Sequence, residues 1–249
     1  MLDSDTALQK RFAEFHTRAQ MRQTLVCSDF LNLHEQDVLQ STKGVEPYVL
    51  FGGYPASERK IAVFGATTQA EAETAVPFLL LKIAPAAPKF ADALSHRDFL
   101  GSILALGLGR AMIGDIVLSD NCGYVFCMES IAAFLTDNLD RVRRTTVRIS
   151  PCDALPNALS AEPEPVSVVV ASERLDAILS AVFRLSRSEA QKYIGAERVF
   201  VDSCCVTRAD IALKENCIVS VRGYGRFRYC GTERETKKGK LRVAVQIYK

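Results

Sequence analysis

The sequence predicts an α+β protein of three structured parts and a linker, on three observations. Helical periodicities and short apolar, strand-like runs alternate through the first 150 residues. Four prolines (Pro151, Pro156, Pro163 and Pro165) then fall close together beside Glu162 and Glu164, a composition that bars regular structure and marks a boundary. Charge divides at the same place. From Glu173 onward there are 16 Lys+Arg against 9 Asp+Glu, a balance of +7, whereas the first 172 residues carry 15 against 20, a balance of −5. The boundaries are an N-terminal α/β unit at 1–75, a middle domain at 76–150, a linker at 151–172 and a basic C-terminal module at 173–249.

In the N-terminal unit, Leu8, Phe12, Phe15 and Ala19 recur at helical spacing, with Lys10, Arg11, Arg18 and Arg22 interleaved. A second helical piece is expected from His34 to Leu39. Strands are expected at Tyr48–Phe51 and Ile61–Phe64, with a turn at Gly52-Gly53-Tyr54-Pro55 between them. The middle domain reads as a strand at Phe78–Ala84, a helix at Asp98–Leu106, strands at Ile113–Leu118 and Gly123–Met128, a helix at Glu129–Asn138 and a last strand at Arg144–Ile149. The order β-α-β-β-α-β is the ferredoxin-like, or RRM-like, arrangement. Its third strand, Gly123-Tyr124-Val125-Phe126, faintly resembles the aromatic RNA-stacking strand, although packing against a core or a neighbouring domain accounts for the aromatics better.

The C-terminal module reads as two short helices followed by strands. Ser186 and Glu189 form a capping box ahead of a run in which Ala190, Tyr193 and Ile194 share one face and Arg187 and Lys192 are left for another. Strands follow at Val199–Val201 and Ile218–Val221, and Val166–Val170 reads as a short strand leading into the module.

The sequence carries no recognisable motif for catalysis, metal binding or cofactor binding. Eight cysteines include no C-x2-C pair, and reduced thiols buried in apolar strands explain them better than zinc or disulfides. Gly101, Gly107, Gly109 and Gly114 miss the dinucleotide spacing, no P-loop occurs, and helix-end and turn duties account for these glycines. The three histidines, His16, His34 and His96, lie in no zinc-hydrolase motif, and His96-Arg97-Asp98 lacks the remaining kinase signatures. No catalytic residue, metal ligand or cofactor is expected. No apolar run approaches the ~20 residues that span a bilayer, and no secretory signal is visible, so a cytoplasmic location is expected.

Arg174-Leu175-Asp176, Ser186-Arg187, Ala190, Ile194, Val199-Phe200-Val201 and Ile218-Val219-Ser220-Val221 make the C-terminal module resemble the S4 RNA-binding domain. It departs from that pattern at Glu197, where the family usually has Gly, and at Asn216-Cys217, where it has Gly-Asp. The whole chain resembles the bacterial YlmH family, through Ser28-Asp29-Phe30-Leu31, Gly52-Gly53-Tyr54 with Ser57-Glu58-Arg59, and the segment from His96-Arg97-Asp98-Phe99-Leu100-Gly101 to Ile113-Gly114-Asp115-Ile116. The resemblance implies a non-enzymatic RNA-binding protein of ribosome quality control. Its expected partners are ribosomal RNA of the large subunit carrying stalled peptidyl-tRNA, with no small-molecule substrate and no membrane.

The RNA-contact residues expected on this reading are Arg174, Arg184, Ser186, Arg187, Lys192 and Arg198 at the helices, and Arg222, Arg226 and Arg228 in a second basic strand-loop. Tyr224 and Phe227 are expected to stack on bases, and Lys237, Lys238 and Lys240 to add nonspecific attraction. Two alternatives stand: an RNA-modifying enzyme such as a pseudouridine synthase, whose signature Arg174-Leu175-Asp176 superficially matches, and a protein-binding regulatory adaptor.

Overall fold

Two buried helical positions a turn-multiple apart, Phe12 and Ala19, set the first element, α1 (Asp3–Arg22). The computed structural model describes residues 3–156, 163–236 and 239–248. Contacts divide the chain into two units, Met1–Ala161 and Glu162–Lys249. Among the described residues the fold is α+β, with three antiparallel sheets and seven α-helices.

In the first unit, α1 is followed by β1 (Val26–Leu31), α2 (Leu33–Ser41), β2 (Tyr48–Phe51), β3 (Lys60–Phe64) and α3 (Gln69–Ala75). The strands form an antiparallel sheet in the order β1-β3-β2. Phe12, Ala19, Leu39 and Phe64 bury one face of it. Asn32 with Glu35 and Thr68 with Glu71 form capping boxes that start α2 and α3. The sequence reading assigned neither β1 nor α3. The strand is disguised by Ser28 and Asp29: a register shift between Cys27 and Phe30 turns Ser28 inward, where its hydroxyl accepts from the Ala62 N–H at 2.9 Å.

A second sheet in the same unit contains β4 (Phe78–Pro85), β5 (Ile113–Ser119), β6 (Cys122–Met128), β7 (Arg141–Val142) and β8 (Thr145–Cys152), ordered β5-β6-β4-β8-β7. Helices α4 (His96–Leu104) and α5 (Glu129–Asn138) connect β4 to β5 and β6 to β7. Helix α4 begins two residues ahead of the expected Asp98 because Ser95 is its N-cap and Asp98 the third residue of its capping box. Strand alternation gives the sheet two apolar faces. Leu81, Ile83, Val125 and Cys127 pack under Phe99, Ile103, Ile131 and Leu135. Leu80, Tyr124 and Phe126 pack with Phe30, Ile61 and Val63 of the first sheet.

A buried polar knot ties the two sheets. A bulge between Ile113 and Ile116 turns Asp115 inward, where it accepts from Tyr54 Oη at 2.8 Å, the Glu58 N–H at 2.7 Å and the Arg59 N–H at 3.1 Å. The Arg59 guanidinium donates to the carbonyls of Ile113 at 3.0 Å and Phe30 at 2.7 Å. Arg110 donates to Ile113 O and Gly114 O; burial, then the neighbouring Arg59 charge, lowers its pKa to about 10. Gly114, expected to serve a turn, instead lies in strand β5, where an added Cβ would stand 2.7 Å from the Phe30 ring.

The second unit contains β9 (Val166–Val170), α6 (Leu175–Phe183), α7 (Arg187–Gly195), β10 (Val199–Val201), β11 (Cys204–Cys205), β12 (Ile218–Val221), β13 (Gly225–Glu235) and β14 (Leu241–Tyr248). Its sheet runs β11-β10-β12-β13-β14-β9, so β9 belongs to this unit rather than merely leading into it. Val199, Val219, Phe227, Tyr229, Val243 and Val245 pack with Leu175, Ile178, Leu179, Ala190 and Ile194 of the helices. Cys127 and Cys217 are buried, as expected of apolar thiols, and burial pushes the Cys127 thiol up to about 12. Cys204 and Cys205 depart from that expectation: the two-residue strand β11 lies at the sheet edge and leaves both exposed.

Candidate RNA interface

Helices α6 and α7 meet at a carboxylate. Asp176, in the first turn of α6, is 0% exposed, an arrangement that is unfavourable for a charge unless donors surround it. Five N–H groups do so. Arg174 donates through Nε at 3.2 Å and Nη2 at 3.4 Å, Arg187 through Nε at 3.1 Å and Nη2 at 3.4 Å, and Gln191 through Nε2 at 2.9 Å. Burial alone would raise the carboxyl pKa; the hydrogen bonds from Arg187, Gln191 and Arg174 outweigh it and bring it down to about 2. The two arginine side chains remain 43% and 52% exposed. Asp176 thus clamps two guanidinium groups by one side and leaves the rest of each fork facing solvent, an orientation suited to phosphate oxygens.

The turn between the helices sets the neighbouring cations. Arg184 ends α6 in a left-handed conformation, φ 55°, with its N–H donating to Ser180 O, and its side chain is exposed. Ser186 is the N-cap of α7: its Oγ accepts from the Glu189 N–H at 3.2 Å and bonds Glu189 Oε2 at 2.6 Å. Its hydroxyl therefore serves the helix start. Lys192 stands exposed on α7.

Past α7, Arg198 lies over the Tyr193 ring at 4.6 Å and donates to Arg222 O at 2.8 Å. The Arg222 guanidinium covers the Phe200 ring at 4.7 Å. Tyr224 is 43% exposed and packs edge-on against Tyr193 at 5.1 Å. Phe227 cannot stack on a base: it is 0% exposed in the core, 5.8 Å from Phe183. Its neighbours Arg226 and Arg228 point to the opposite, helix-free face by strand alternation. There Arg226 lies over Tyr248 at 5.1 Å and Arg228 donates to Gln246 Oε1 at 3.3 Å. Of the nine expected contact residues, Arg174, Arg184, Ser186, Arg187, Lys192 and Arg198 sit on or beside the helices, Arg226 and Arg228 on the far side of the sheet, and Arg222 over Phe200. Lys237 and Lys238 lie outside the described residues.

The aromatic strand of the first unit has no route to RNA bases. Tyr124 is 7% and Phe126 4% exposed, and Phe126 is stacked on Tyr54 at 5.6 Å. The protein-packing alternative holds for them.

Asp176 was visible in the sequence only as the third residue of Arg174-Leu175-Asp176; Gln191, which completes its shell, carried no signal. As an isolated match to a synthase signature the aspartate would need access to a uridine, and its full burial under two arginines denies it. Among the described residues no group of three or more His, Cys, Asp or Glu side chains is placed to hold a metal ion, and no helix is long and apolar enough to cross a membrane.

Comparison with known proteins bears on both units. Residues 78–155 match the family described as "Putative RNA-binding domain in YlmH". The chain is 28% identical over 228 residues to "Ribosome-associated protein quality control protein P2" of Bacillus subtilis (strain 168), covering 89% of this chain and 87% of that protein. A solved structure, "Cell division protein ylmH from Streptococcus pneumoniae", is similar over 61% of this chain and 93% of that one, at 17% identity and a TM-score of 0.48. The matched domain lies within the first unit and the sequence similarity runs through both, so the chain is similar to YlmH proteins over most of its length.

Proposed function

We propose that this protein is a non-enzymatic RNA-binding factor that associates with the large ribosomal subunit in ribosome quality control; the name of its Bacillus subtilis homologue, a ribosome-associated quality control protein, supports the ribosomal part of this reading. In this reading β4 to β8 form a ferredoxin-like domain, 173–249 together with β9 forms an S4-like domain, and the linker expected at 151–172 narrows to the chain between β8 and β9. The antiparallel order β5-β6-β4-β8 and the α6-α7 pair followed by a sheet support those assignments.

The observation that carries the proposal is the Asp176 clamp. A buried carboxylate fixes Arg174 and Arg187 at the junction of two helices, with exposed Arg184 and Lys192 nearby. Pre-aimed cations at a helix junction suit a structured RNA read by shape and phosphates. The homologue is named as ribosome-associated, and the ligand of that kind in this reading is ribosomal RNA of the large subunit with the peptidyl-tRNA it holds. The location follows from the partner: a ribosome-bound protein works in the cytoplasm.

Sedimentation of the full chain with purified large subunits across a salt series tests this. The Arg184→Ala/Arg187→Ala/Lys192→Ala variant should bind at least tenfold more weakly, its log–log salt slope shallower by roughly two to three units. Wild-type affinity and slope in that variant would remove the helix junction as the docking face. Isomerisation of a uridine in ribosomal RNA by the purified chain would favour the synthase alternative instead.

A further inference from the structure

The domain at 78–155 keeps its strand aromatics buried, yet it carries an exposed basic and aromatic surface elsewhere. That surface is the β7–β8 edge. Arg141, Arg143, Arg144 and Arg148 are all exposed, while Val142, Thr145 and Val147 turn inward. Alternation therefore sets Arg148 outward on β8, on the same sheet face as Lys82 of the paired strand β4.

The segment after β4 is pinned against this edge. The Ala86 N–H donates to Thr146 O at 2.9 Å, and the Asp92 N–H to Thr145 Oγ1 at 3.0 Å. Asn121 holds the far end, donating to Asp92 O at 2.8 Å and accepting from the Leu94 N–H at 2.7 Å. The pinned segment presents Lys89 and Phe90 on a 3-10 turn, and the Phe90 side chain is 90% exposed. Helix α4 begins beside it with exposed Arg97, and Arg143 Nε lies 3.7 Å from Asp98 Oδ1.

Lys89, Arg97, Arg141, Arg143, Arg144 and Arg148 thus stand against Asp92, Asp98 and Asp140. Arg141, Arg144 and Arg148 make no ion pair among the described residues. Charged side chains on an edge strand also guard it against pairing with another chain, but that duty asks for no aromatic ring. Phe90 buries almost nothing and is nevertheless held on a turn fixed by four hydrogen bonds. Arginine forks beside an open ring are the pairing that phosphates and an unpaired base require.

We infer that this edge is a second RNA-contact surface, in which Arg141, Arg144 and Arg148 meet phosphates of a structured RNA and Phe90 stacks on one unpaired base. The inference rests on the RNA-binding reading above and gives the first unit its own contact, separate from the Asp176 corner.

The test uses the full chain and purified large ribosomal subunits, titrated at several salt concentrations. Arg141→Gln/Arg144→Gln/Arg148→Gln should weaken binding at least tenfold and make the salt slope shallower by roughly two to three units. Phe90→Ala should weaken it by about 5- to 150-fold, the loss of one stacked base, and Phe90→Tyr should restore it. Because Phe90 packs on so little, neither change should alter the melting temperature. If wild type binds and both the triple variant and Phe90→Ala bind equally well, the surface is only an edge guard and this inference falls alone. If wild type does not bind the subunits, the RNA-binding reading falls with it.

Discussion

Asp176 and Arg187 are eleven residues apart, on different helices, and meet at 3.1 Å through Oδ2 and Nε. The bond joins the first turn of α6 to the first residue of α7, so the angle between the helices and the aim of Arg187 are set together. Stability and the aim of the proposed RNA-contact arginine share one carboxylate.

The first prediction concerns pH. A carboxyl whose folded pKa is depressed to about 2 stabilises the fold above its unfolded pKa, near 3.9, and loses that contribution as pH falls through the folded value. Unfolding free energy should therefore decline between about pH 4 and pH 2, by roughly 2 kcal/mol from this group. Asp176→Asn should remove that contribution at neutral pH and flatten the decline; Asp176→Ala, which leaves two arginines facing a void, should cost about 3–5 kcal/mol. Chemical denaturation at a series of pH values measures both.

Glu197 follows α7 at φ 56°, one of the two positions where the sequence departs from the S4 pattern it resembles, and Asn216 lies at φ 66°. A side chain in left-handed backbone costs about 1–2 kcal/mol, less for asparagine. Glu197→Gly should raise stability by about 1 kcal/mol, and Asn216→Gly by only a few tenths. Thermal unfolding of the two variants should show that order.

Gly114 lies beneath two rings, and a Cβ there would stand 2.7 Å from Phe30 and 2.9 Å from Phe126 Cβ. Gly114→Ala should destabilise the first unit by about 1–3 kcal/mol through overpacking. Gly101→Ala, with nothing within 4 Å of the new atom, is the control and should leave melting unchanged or raise it slightly.

Much of this was legible in the sequence because it is local. The capping box at Ser186 and the helical stripes of α6 and α7 depend on residues three or four apart. The charge division also survives in the structure: its boundary falls near the edge between the two units. What the sequence hid is non-local. Arg226 to Tyr229 alternates charge and ring, the mark of a half-buried strand, yet the sequence supports no more than a basic strand-loop there. The eleven-residue β13 exists because β12 and β14 pair with it on both sides. Asp115 finds its partners 56 to 61 residues away, so nothing near it in the chain announces the knot. Exposure is equally invisible: Phe227 and Phe90 are the same residue type, one fully buried and one 90% open.

Tyr124 and Phe126 provide a negative prediction. Both rings are buried against the first sheet, so Tyr124→Leu, which removes the ring, should leave affinity for large subunits and its salt dependence unchanged. A loss in a variant that melts like wild type would mean that the sheet face opens to RNA.

The most direct measurement is crosslinking of the protein to RNA in growing cells, with the crosslinked peptides and nucleotides both identified. The account predicts peptides containing residues 174–198 joined to large-subunit ribosomal RNA or to the tRNA it holds. Crosslinks confined to other RNAs, or a protein recovered on ribosomes with none in that segment, would contradict it.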